Sequence, residues 1–85
     1  MAYPKNIQWR MLPVPKTITI TTSGLRLRQA REQRGLSQED LAKRAGITQA
    51  SVSRIETGDM PDPQASIMVK LARALGLSVE WLYGL

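Results

Sequence analysis

The residues best equipped for recognition chemistry fall in one short stretch, Gln49-Ala50-Ser51-Val52-Ser53-Arg54. A glutamine amide can grip N6 and N7 of adenine, and an arginine fork can grip N7 and O6 of guanine. Ala50 leaves room for a thymine methyl. With Val52 and Ile55 turned inward on a helix, 3.6-residue geometry leaves Gln49, Ala50, Ser53, Arg54 and Thr57 outside, with Ser51 near the edge of that face. The expected base contacts are therefore Gln49, Ala50, Ser53 and Arg54, with a phosphate oxygen as the alternative for Gln49 and Arg54. Upstream, Gln38 falls in the first turn of a helix, where an amide side chain and backbone N–H groups suit a phosphate oxygen. Ser51 and Thr57 are the further phosphate candidates, and contacts of that kind set register without reading sequence.

Other chemistry has little to work with. The chain has no histidine and no cysteine, which removes the commonest metal ligand and general base, a thiolate site and any disulfide. No enzyme, metal or cofactor is expected. Twelve basic residues against seven acidic ones give a net charge of +5 and a pI near 10.3, so a phosphate backbone is a plausible partner. Lys5, Arg10 and Lys16 supply part of that excess, with no acid among the first 22 residues. No apolar run approaches the roughly 18 residues of a membrane span, and the N-terminus lacks a signal peptide's apolar core. The expected place is the cytoplasm, on the nucleoid when bound to DNA. Eighty-five residues make one domain, too small for a deep catalytic cleft.

The elements that must hold these side chains can be read from capping chemistry. Ser37 followed by Asp40 forms a capping box, with Leu36 and Leu41 as its hydrophobic staple, and Gly46 stops the helix by taking a left-handed turn. Thr48 caps a second helix, with Ile47 and Val52 as staple, ending near Thr57 and Gly58. Leu41, Ala42, Ala45, Ile47, Val52 and Ile55 are the expected buried set, and Ala42 is small enough for two helices to cross closely. That is the demand of a helix-turn-helix. A first helix is expected from a Ser23 cap over about 24–33, with Leu27, Ala30, Arg31 and Arg34 on one face. An arginine on the core side needs an anion, and Glu56 is the expected partner in a structural Arg31–Glu56 pair. Asp62 as cap and Pro63 at the first helical position open a fourth helix reaching Leu75, and Ser78 opens a fifth.

Residues 1–22 read differently. Pro4, Pro13 and Pro15 exclude a continuous helix, and Thr17-Ile18-Thr19-Ile20-Thr21-Thr22 is β-branched throughout. An extended or β arm is expected, with Ile18 and Ile20 pairing across a two-fold axis; a flexible arm and a basic arm reaching around DNA are the alternatives. The fold expected of the whole is all-α, five compact helices over 23–85 preceded by that arm over 1–22.

The run LSQEDLAKRAGITQASVSRIETG, with Leu27-Arg28-Gln29-Ala30-Arg31 before it and Leu71-Ala72-Arg73-Ala74-Leu75-Gly76 after it, resembles the lambda-repressor-like, Cro and Xre-type helix-turn-helix family. The likeness extends from about Gly24 through Leu82 and leaves residues 1 to about 22 outside. It implies that Gln38 occupies the place of the family's phosphate-clamping glutamine, and it supports the Arg31–Glu56 pair. It also implies a dimer surface on the last helix, where Val79 and Tyr83 are apolar beyond the needs of a small core. Leu25 departs from the pattern, which has a polar residue there.

The expected function is sequence-specific recognition of double-stranded DNA in the major groove. The expected actor is a homodimeric transcriptional repressor that reads an inverted repeat through the helix at about 48–57. An antitoxin carrying the same domain and holding a toxin through residues 1–22 is one alternative. A protein-interaction adaptor without DNA binding is another, and it predicts acids or bulky apolar residues on the outer face of the third helix, where the sequence places Gln49 and Arg54.

Overall fold

The computed structural model describes residues 21–85, and among these every regular element is a helix: α1 Thr22–Gln33, α2 Gln38–Ala45, α3 Gln49–Thr57, α4 Ala65–Leu75 and α5 Val79–Tyr83. The arm expected over 1–22, with the dimer contacts at Ile18 and Ile20, lies outside the described residues except for Thr21 and Thr22, which open α1.

That opening corrects the sequence reading. The cap is Thr21, not Ser23: its hydroxyl accepts the Gly24 N–H at 3.0 Å, and the helix starts at Thr22. Ser23 is buried inside the first turn instead. The cause is the approach of α1 to the end of α3, where a side chain on Gly24 would collide with the Ile55 carbonyl oxygen and crowd that of Glu56. Only a glycine lets the two backbones come this near, so the first turn is fixed by packing as well as by its cap.

Helix α2 begins with the full reciprocal box, Ser37 Oγ accepting from Asp40 N at 3.0 Å and Asp40 Oδ2 accepting from Ser37 N at 3.2 Å. It ends on Gly46 at φ 72°, and the Ile47 N–H then reaches back to Ala42 O at 3.0 Å. The corner before α3 is thereby closed by backbone bonds alone. Thr48 caps α3 through the Ser51 N–H at 3.1 Å.

The start of α4 is a second correction. Neither Asp62 nor Pro63 belongs to it; the helix begins at Ala65 after Gln64, which makes no side-chain cap bond. Pro63 is buried, so its ring serves as packing, and its own steric demand keeps Asp62 out of helical geometry. Ser78 caps α5, accepting from Trp81 N at 3.1 Å.

Leu27, Leu41, Val52, Ile55, Met68, Leu71 and Leu82 are sealed from solvent, joined by Ala30, Leu36, Ala42, Ala72 and Leu75. Ala45 and Ile47 are half-buried against this core rather than inside it. Helix α2 packs on α3 and α4, α1 on α3 and α5, and α4 on α5. Arg26 of α1 and Arg34 at its C-cap tie distant elements to this frame. Arg34 donates to Leu75 O at 2.9 Å, closing the carbonyl end of α4 with a cation. Arg26 donates to Trp81 O at 3.1 Å with its guanidinium 4.9 Å from the centre of the Trp81 ring, holding α5 on α1.

Candidate nucleic-acid interface

Helix α3 has two faces of opposite character. Val52 and Ile55 are fully buried, Glu56 is turned to the protein, and Gln49, Ala50, Arg54 and Thr57 are exposed, with Ser51 and Ser53 half-buried beside them. Among the described residues neither the Gln49 amide nor the Arg54 guanidinium has a hydrogen-bond or ion-pair partner. The small residues Ala50 and Ser53 leave these two longer side chains standing clear of the helix surface. Such a ridge is of a size to enter a major groove.

The polar residues near its margins are partly occupied. Ser51 Oγ lies 2.9 Å from Thr48 Oγ1, so it supports the cap of its own helix. Thr57 is exposed, and its Oγ1 donates to Arg54 O at 3.2 Å. Gln38 is half-buried, and its Nε2 donates to Glu56 Oε1 at 3.2 Å. The sequence reading assigned Gln38 to a phosphate and missed this bond. The Arg31–Glu56 pair joins α1 to α3 and does not by itself bring Glu56 to α2, so no local signal pointed to this bond.

Beneath the interface, Arg31 Nε and Nη2 donate to Glu56 Oε2 and Oε1 at 2.7 and 3.0 Å, and Nη1 donates to Leu36 O at 2.8 Å. The Glu56 side chain is 4% exposed and that of Arg31 12%. The bond to Glu56 holds the Arg31 proton more firmly than in a free guanidinium, against the opposing effect of burial. One guanidinium thus joins α1, the residue before the α2 cap, and α3. The Asp40 carboxylate, which accepts the Ser37 N–H, is held below the ordinary carboxylate range.

Elsewhere the basic residues of α1 face their own partners. Arg28 pairs with Glu32 at 2.9 Å, and on α2 Lys43 pairs with Glu39 at 3.4 Å. Val79 and Tyr83 are half-buried against the core, while Leu25 and Leu85 are exposed. Among the described residues no cluster of acids could hold a metal, and no helix is long and apolar enough to cross a membrane.

Comparison with known proteins places this geometry. The helix-turn-helix family model matches residues 27–82. An uncharacterized HTH-type transcriptional regulator of Sinorhizobium fredii, y4dL, is 45% identical over 53 residues, 62% of this chain and 26% of that protein. The chain spans about half or less of the length of the curated relatives it matches. The crystal structure of the restriction-modification controller protein C.AhdI from Aeromonas hydrophila superposes with a TM-score of 0.68 at 36% identity, covering 72% of this chain and 91% of that one. SinR, the master regulator for biofilm formation, crystallised in complex with DNA, superposes with a TM-score of 0.69 at 32% identity over 71% of this chain and 95% of that one.

Proposed function

The chain belongs to the lambda-repressor-like, Xre-type helix-turn-helix family, and from that premise we propose that it is a transcriptional regulator that binds double-stranded DNA through α3 in the major groove. One observation carries the proposal. Gln49 and Arg54 stand exposed on α3, without partners among the described residues, while the other side of the same helix is anchored by two fully buried residues. The likeness to SinR, whose structure holds DNA, supports the same reading. The family is not one of enzymes.

In this reading Arg54 grips guanine, Gln49 grips adenine, and Ala50 and Ser53 admit the base edges between them. Gln38, Ser51 and Thr57 hold the flanking phosphates and fix the register. A helix of nine residues reads only a few base pairs, so useful specificity calls for two copies. We place Val79 and Tyr83 at the two-fold contact and give the protein the role of a repressor on an inverted repeat. A cytoplasmic location, on the nucleoid when bound, goes with this role. Affinity should fall steeply with salt, as it does wherever bound counterions are released.

The test is selection from a random duplex pool. The expected product is an inverted repeat whose half-site centres lie about 10 base pairs apart or a multiple of it. Recovery of isolated half-sites would remove the dimer, and recovery of no preferred sequence would remove the base-reading role.

A further inference from the structure

We infer that the buried Glu56 is a positioning residue for DNA binding: it sets the direction in which Gln38 offers its amide to a phosphate, so the Arg31–Glu56 pair acts on affinity without touching DNA. The inference rests on the reading of α2 and α3 as a DNA-binding unit. Its origin is the crowding of donors around one carboxylate. Glu56 receives two N–H groups of Arg31, at 2.7 and 3.0 Å, and Nε2 of Gln38 at 3.2 Å.

A carboxylate paired in this way accepts hydrogen bonds and gives none. An amide beside it must turn its NH2 inward, since the carbonyl oxygen would face like charge. A glutamine on an open surface has several rotamers and two amide orientations to choose among. At Gln38 one orientation is imposed before any DNA arrives. The two N–H bonds of Nε2 diverge by about 120° for a trigonal nitrogen, so the one not held by Glu56 is left for an outside acceptor. A phosphate oxygen taking that second N–H would meet a donor with little ordering left to lose, which is how preorganisation raises affinity. Arg31 completes the device, because its charge offsets the carboxylate that would otherwise repel the phosphate.

A double-mutant cycle on the selected duplex tests this. Gln38→Ala should weaken binding of the wild-type chain by roughly tenfold, the loss of a hydrogen bond to a charged group. In an Arg31→Met/Glu56→Leu background, where apolar residues of similar size replace the pair, the same change should cost less than about twofold. Neutralising the duplex phosphates one at a time as methylphosphonates gives a readout that stability alone does not move. One position should weaken the wild type and leave both Gln38→Ala and the paired variant indifferent. Equal losses from Gln38→Ala in the two backgrounds overturn the inference, and so does a paired variant that still senses that phosphate.

Should thermal unfolding show the paired variant unfolded, nitrogen-labelled wild-type protein decides. On addition of duplex one Nε2 proton of Gln38 should shift strongly while the other keeps its place, and two unmoved protons overturn the inference. A wild-type chain that binds no duplex removes the DNA reading and this inference with it. A chain that binds without coupling between positions 38 and 56 removes the inference alone.

Discussion

Helix α1 carries three arginines and a fourth stands at its C-cap, and each is engaged: Arg26 on Trp81, Arg28 on Glu32, Arg31 on Glu56 and Leu36 O, Arg34 on Leu75 O and Ala30 O. Helix α3 carries one, Arg54, and it is exposed with no partner among the described residues. The residue type is the same and the circumstances are opposite. At Arg26, Arg31 and Arg34 the planar fork joins elements of the fold, whereas Arg28 meets only Glu32 on the surface of its own helix. On α3 the fork is held ready for an acceptor that the domain does not supply. A count of basic residues could not separate these two uses; the position of each arginine relative to the core does so.

Substitutions can break or sharpen that contrast. The largest effect belongs to Arg31→Ala. It leaves Glu56 buried without its partner and should cost about 3–5 kcal/mol of stability, a large share of what a small domain has. Urea unfolding would show it, and a near-neutral result would mean that α1 does not need its arginines. Arg54→Ala should do the reverse, weakening duplex binding by about 1–3 kcal/mol while stability stays within about 0.5 kcal/mol. Fluorescence anisotropy and thermal unfolding on the same samples separate the two quantities. An unfolded Arg54→Ala protein would erase the distinction between the helices.

Arg28 gives the smallest effect and the finest test, because it is engaged yet solvent-exposed. Its hydrogen bond holds the Glu32 carboxyl below its ordinary value. The resulting stabilisation is present above the pH at which Glu32 titrates in the unfolded chain. It is lost as pH falls through the lower folded value, and Arg28→Ala should therefore flatten only that acid limb of a stability–pH curve. The loss appears at neutral pH, where the pair's stabilisation is fully present, and is small because screened surface pairs contribute little; below the folded value the variant and the wild type should coincide.

The α2–α3 unit was legible in the sequence because its signals are local. Ser37 with Asp40, Gly46 and Thr48 each act within a few residues of themselves, and the buried set follows from helical spacing. The Arg31–Glu56 pair needed one longer step, from an arginine on a core face to an acid elsewhere. What escaped was set by contacts between distant elements. Ser23 is as good a cap as Thr21 by type; the packing of Gly24 on the end of α3 decides between them. Asp62-Pro63 carries a local start signal for α4, yet the burial of Pro63 overrides it. Arg34 was placed on the core face of α1, but nothing in its neighbours shows that its acceptor would be the last turn of α4. At the interface the identities of Gln49 and Arg54 came from spacing, whereas the second attachment of Gln38 came only from three helices meeting at one carboxylate.

The meeting of α5 with the start of α1 has a further consequence. A side chain on Gly84 would come within 2.5 Å of the Thr22 methyl group, so the first and last turns of the bundle touch. Polypeptide attached before Thr22 and polypeptide attached after Gly84 must depart from one pole of the domain. A linker of a few residues could therefore join the two ends, with new termini opened in the turn between Gly58 and Pro63, and the rearranged chain should keep its helices and its recognition ridge.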